Sequence, residues 1–103
     1  KASIRTGWLR EPPFVINKAN KYFVIVGSVK SYESAKQEVI RLKKHAPAYD
    51  FVAYAPYDSN PYYAIMVATW VPYSIANKVV AKAKADIEKS SYIWQCPGEG
   101  DHC

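Results

Sequence analysis

The chain has 103 residues, half of them apolar and 15% aromatic, and a formal charge of +5. That size accommodates one compact domain and no second core, and so much apolar and aromatic content excludes a disordered tail. The longest apolar stretches, Phe23 to Val26 and Tyr62 to Trp70, fall well short of the ~20 residues a transmembrane helix needs, so no segment is expected to span a membrane. The positive excess suits either a polyanionic partner or plain colloidal solubility. The sequence opens at Lys1 with neither an initiator Met nor a signal segment, which leads us to expect a processed or excised part of something longer.

The first stretch, residues 1–20, carries Trp8, Leu9, Phe14, Val15 and Ile16 around Pro12-Pro13. It is too apolar for a linker and is expected to pack on the domain as an irregular arm or an added strand, with a partner-binding arm as the alternative. The main domain is expected over 21–95. Tyr22-Phe-Val-Ile-Val-Gly-Ser-Val29 is a β-branched and aromatic run, the mark of a strand. Ser31 then caps a helix whose apolar face is Ala35, Val39, Leu42 and Ala46, ended by Pro47. Tyr49 to Tyr54 is a short strand candidate, followed by the turn-rich segment Ala55 to Pro61. Tyr63 to Trp70 is a third strand. Pro72 stands where a helix start tolerates proline, and Ala76, Val79, Val80, Ala83 and Ile87 form the buried stripe of a second helix. Ser91 to Gln95 closes the pattern as a last strand.

The two halves repeat one plan. Tyr22–Val29 aligns with Tyr63–Trp70, and at the same offset Tyr32, Ala35 and Val39 meet Tyr73, Ala76 and Val80. The order βαββαβ with two right-handed crossovers predicts an α+β, ferredoxin-like domain: a four-stranded antiparallel sheet with both helices on one face. Strand parity then places Val24, Val26, Ile65 and Val67 toward the helices, and Phe23, Ile25, Ala64 and Met66 on the open side.

The tail 96–103 holds both cysteines around easily turning residues, Cys96-Pro-Gly-Glu-Gly-Asp-His-Cys103. A disulfide-closed loop between Cys96 and Cys103 would imply an oxidising compartment such as the periplasm. Free thiols, or a metal held by Cys96, His102 and Cys103, are the alternatives, the last short of the usual four-ligand zinc set.

An aromatic open sheet face can stack on nucleic-acid bases or on sugars. An RNA reader would carry a basic, glycine-containing aromatic motif on the third strand. Tyr62 to Ala68 has neither a basic residue nor a glycine. The positive charge rides instead at Lys36, Lys43, Lys44, Lys78, Lys82 and Lys84 on the helices, where a solvated surface accounts for it, so no nucleic-acid partner is expected.

Tyr22-Phe-Val-Ile-Val-Gly-Ser-Val29, followed by a helix with an early alanine, Ala35, resembles the opening of sporulation-related-repeat (SPOR) domains, and a weaker copy follows in the second half. The resemblance covers roughly Lys21 to Trp94. It implies the ferredoxin-like fold and binding of peptidoglycan glycan strands on the helix-free face in the bacterial periplasm or cell envelope. Carried across, Ser28 matches the family's serine, Tyr54 or Phe51 its second-strand aromatic and Ile93 its late apolar contact. At the position of the family's glutamine stands Ile25, whose side chain neither donates nor accepts a hydrogen bond, and Ala68 replaces a second glycine. An apolar face of Phe23, Ile25, Ala64 and Met66 equally suits cover by protein, either this chain's own arm around Trp8 and Phe14 or a neighbouring subunit. Two functions follow as expectations: glycan binding, or a SPOR-like structural subunit of an envelope-spanning complex such as a secretion-system core. The binding residues for either are Phe23, Ile25, Ser28, Tyr54, Met66 and Ile93.

Catalytic patterns are missing from the sequence. His45 suits a helix C-terminus, His102 belongs to the tail, and the acidic residues are scattered without a paired-acid motif. No nucleophile elbow or phosphate loop occurs, so neither enzymatic activity nor a cofactor is expected. Trp70 and Trp94 are expected in or beside the core, whereas Tyr57, Tyr62 and Tyr63 could rim a sugar or protein site.

Overall fold

The computed structural model of the chain describes residues 7–11, 20–56 and 61–95. The elements run β1 (Leu9–Arg10), β2 (Tyr22–Val29), α1 (Tyr32–His45), β3 (Val52–Tyr54), β4 (Tyr63–Val71), α2 (Tyr73–Asp86) and β5 (Tyr92–Gln95). The five strands form one mixed sheet in the order β1-β3-β4-β2-β5.

The expected four-stranded, all-antiparallel sheet is therefore corrected. Leu9 and Arg10 lie parallel to β3, opposite Ala53 and Tyr54, and add a fifth strand at the edge. Two backbone bonds hold it, from Ala53 N–H to the Trp8 carbonyl at 2.6 Å and from Ala55 N–H to the Arg10 carbonyl at 2.9 Å. Leu9 is buried in the main core, and the Trp8 indole packs against the Tyr32 ring at 5.3 Å. Phe14, Val15 and Ile16 lie outside the described residues.

Both helices begin where the sequence signals them. Ser31 is extended, and its hydroxyl accepts the Ser34 N–H at 3.0 Å, satisfying one of the free donors of the first turn of α1. Lys43, Lys44 and His45 stand in the last turn, where positive charge complements the helix dipole. The start of α2 has no side-chain cap; the Pro72 carbonyl instead accepts from Ile75 and Ala76.

Ala35, Val39 and Leu42 of α1 and Ala76, Val80 and Ala83 of α2 meet Val24, Val26, Ala53 and Ile65 of the sheet in one core, so both helices cover the same face. The helix ends are tied together at Asp86, whose carboxylate accepts from the Tyr49 hydroxyl at 2.7 Å and whose carbonyl lies 3.2 Å from His45 Nε2. That hydrogen bond raises the Tyr49 phenol above its ordinary pKa. Among the described residues no helix is long and apolar enough to cross a membrane.

Candidate functional site

The helix-free face of the sheet is the candidate site, and strand alternation builds it. Phe23 and Ile25 of β2 point away from the helices while their neighbours Val24 and Val26 point toward them. Met66 stands opposite Ile25, and Tyr54 comes from β3. These four side chains form a second cluster, flanked by Val52, Ala64, Trp70 and Trp94. None of the eight carries a charge.

Phe23 is its centre. Its ring meets Trp70 at 4.8 Å, Trp94 at 5.4 Å and Tyr54 at 5.8 Å, the contacts to Trp70 and Tyr54 edge-on and that to Trp94 tilted. Such offset geometry lets the positive ring edge meet a negative ring face. The face has no helix, yet its centre is closed: Phe23 is 1% exposed, Ile25 and Met66 5%, and Tyr54 9%. The expectation of an open apolar face holds for its orientation and is corrected for its accessibility.

Trp70 reaches this cluster through an irregular register. Three partner pairs, Tyr22 with Val71, Val24 with Ala68 and Ile25 with Met66, leave an extra residue on β4 in each interval, and Val26 is the extra residue on β2 before Gly27 pairs with Ile65. Bulges of this kind re-aim side chains. Trp70 itself has φ 54°, in the left-handed region, and is the one non-glycine residue with positive φ among those described.

The expected site residues do not all converge. Phe23, Ile25, Tyr54 and Met66 share the cluster. Ser28 is opposite Ala64 and therefore on the same face, but it is exposed and five residues along β2 from Phe23, about 16 Å away. Gly27 beside it is in open space, with no atom within 4 Å of where a Cβ would stand. Ile93 belongs to the other face: it is opposite Val24 and packs on the helix-side core, because β5 alternates in phase with β2. Trp94, opposite Phe23, takes the place expected of Ile93. Phe51 is likewise in the helix-side core, which leaves Tyr54 as the second-strand aromatic. Tyr92, opposite Ile25 and half-exposed, completes the rim of the face. Alternation from Ala64 and Met66 already points Trp70 to this face, whereas Trp94 and Tyr92 follow only from the phase of β5.

Among the described residues no three His, Cys, Asp or Glu side chains stand together to hold a metal. Cys96, His102 and Cys103, the expected disulfide or metal residues, and Tyr57 lie outside the described residues. Arg41, whose pKa is raised by its hydrogen bond to Glu38 and the charge of that carboxylate, sits on α1, away from this face. The buried centre of the cluster presents no surface of its own; the part-exposed rings around it, Trp70, Trp94 and Tyr92, can hold a partner by packing. Comparison with protein-family models, with curated proteins and with solved structures finds no match to this chain.

Proposed function

We propose that the chain is a non-enzymatic, SPOR-like domain of a bacterial cell envelope that serves as a structural, protein-holding subunit of an envelope-spanning complex. The strand order β5-β2-β4-β3, read apart from the added β1, together with two helices on one face, supports a ferredoxin-like core. The envelope and the SPOR-like class rest on the resemblance of Tyr22–Val29.

One observation carries the choice of partner: the centre of the face that would receive a glycan is filled by Phe23 and closed by Trp70, Trp94 and Tyr54. A sugar needs hydrogen-bonding groups that fix its hydroxyls; Phe23 and Ile25 have none, and Met66 has only a weakly accepting thioether. A protein partner needs rim aromatics, and Tyr92 and Trp94 supply them.

Peptidoglycan glycan binding is the second reading. It is favoured by the part-exposed indoles of Trp70 and Trp94 on the same face as the exposed Ser28. A pull-down with isolated sacculi, before and after amidase removal of stem peptides, separates the two. The structural reading expects no enrichment in either sample. Enrichment on the amidase-treated sacculi that Trp94→Ala abolishes would overturn it in favour of glycan binding.

A further inference from the structure

The sheet has two edges, β1 and β5, and they differ in kind. β1 is two residues long and ends on the exposed charges of Arg10 and Glu11, features that blunt an edge against a further strand. β5 is four residues long, Tyr-Ile-Trp-Gln, with no charge, proline or glycine. It pairs with β2 in straight register, from Tyr22 opposite Gln95 to Ile25 opposite Tyr92, without the shifts that interrupt the pairing of β2 with β4. Alternate residues of such a strand turn their N–H and C=O groups outward. Among the described residues no strand lies on that outer side.

The side chains of β5 also match themselves. Directly opposite residues of an antiparallel pair share a face, so a two-fold pairing of two β5 strands must set one residue opposite its own copy. Centred on Ile93, it sets Ile93 opposite Ile93 and Tyr92 opposite Trp94 twice. The aromatic pairs then fall on the helix-free side, where Tyr92 is 50% exposed and Trp94 part-exposed, and the β-branched pair falls on the helix side. Centring on Trp94 would instead put Ile93 opposite Gln95, an aliphatic chain against a polar one. Charge selects the same edge. The chain carries +5, and a second copy approaching the helices meets exposed lysines on both, Lys36 and Lys44 on α1 and Lys78 and Lys82 on α2, whereas β5 brings no like charge opposite itself.

From this we infer that β5 pairs antiparallel with β5 of a second copy of this chain, centred on Ile93, and joins the two sheets into one. An edge of four residues is far smaller than the ~20–30 residues a side of a stable interface, so isolated chains associate weakly. The pairing is made where an assembly concentrates its subunits. The inference rests on the reading that the rim aromatics hold protein and names that protein.

Sedimentation equilibrium of the full chain over a concentration series tests it. A monomer–dimer equilibrium should emerge by about 1 mM, and salt should strengthen it by screening the repulsion between two positive copies. Tyr92→Lys should weaken self-association by roughly 10- to 30-fold, because the symmetry removes two aromatic pairs at once. Ile40→Lys adds the same charge at an exposed site on α1 and should weaken it far less. Mixing Tyr92→Lys with Trp94→Glu should restore association between the two variants, since the register sets those positions opposite each other. Circular dichroism checks that each variant is folded. A chain monomeric at about 1 mM, equal weakening by Tyr92→Lys and Ile40→Lys, association weakened by salt, or no recovery on mixing folded variants would overturn the inference. A monomeric chain that sacculi also fail to enrich would overturn this inference alone, whereas enrichment on sacculi is what overturns the structural reading.

Discussion

The ring of Phe23 meets the indole of Trp70 edge-on at 4.8 Å, and Trp70 makes that contact from a left-handed backbone conformation. A bulky residue at positive φ costs about 1–2 kcal/mol. The ring contact and the burial of Phe23 offset that cost, so the helix-free face is held shut by a residue whose own backbone is strained.

Replacing the side chain in two ways separates these contributions. Trp70→Ala and Trp70→Gly both remove the indole, but only glycine accepts φ 54° without penalty. We expect Trp70→Gly to be more stable than Trp70→Ala by about 1 kcal/mol in urea denaturation. Equal stability would mean that the backbone relaxes once the ring is gone.

Phe23→Ala should be among the most damaging single substitutions, lowering stability by about 3–5 kcal/mol, because a ring 1% exposed leaves a cavity between three aromatic neighbours. Tryptophan emission should shift to the red as Trp70 and Trp94 lose their packing partner. A loss below about 1 kcal/mol would show that the cluster collapses to fill the space.

The edge strand β1 gives a local readout. Leu9→Ala should remove about 2–4 kcal/mol of core packing and loosen the pairing with β3. Hydrogen exchange should then quicken at the Ala53 and Ala55 amides, which donate to Trp8 and Arg10, before it quickens in β2. Uniform quickening across the sheet would instead mean that β1 and the sheet open together.

Tyr49 predicts a pH dependence. Its hydrogen bond to Asp86 raises the phenol pKa in the folded chain, so the native state favours the protonated form. That contribution is fully present below the ordinary tyrosine pKa of about 10 and is lost as pH rises through the elevated folded value. Tyr49→Phe should therefore lower Tm at neutral pH, and the gap from the parent chain should close in strong alkali. The effect is small because the pair is on the surface. A gap unchanged at high pH would show that the proton on the Tyr49 hydroxyl does not carry the loss, since phenylalanine keeps the ring that packs 6.2 Å from Phe51.

Much of the fold is legible in the residues. The run Tyr22–Val29, the Ser31 cap, and the apolar stripes of both helices mark their elements within a residue or two. Alternation also assigns Phe23, Ile25 and Met66 to one face. The apolar first stretch around Trp8 and Leu9 already points to an arm or an added strand on the domain, but the place and parallel pairing of the two-residue β1 are not legible, since so short a segment has no period to read. Ile93 was assigned to the wrong face because Tyr92-Ile-Trp94 is apolar at every position, so its phase is set only by pairing with β2. Simple alternation from Ala64 and Met66 also puts Trp70 on the face of Phe23; what it does not show is the irregular pairing that turns Ala68 to the helix side, since register shifts leave no signature in composition.

Because β2 is enclosed on both sides at its middle, its residues 23–26 behave like a strand in a sheet sandwiched between two helical layers. A polar substitution has no wet side there to turn toward. A saturation scan of this strand should show four consecutive intolerant positions in place of the every-other pattern of a half-exposed sheet. Phe23 and Val24, adjacent in the chain, should also have nearly additive effects, since the sheet between them acts as a partition separating two independently packed layers.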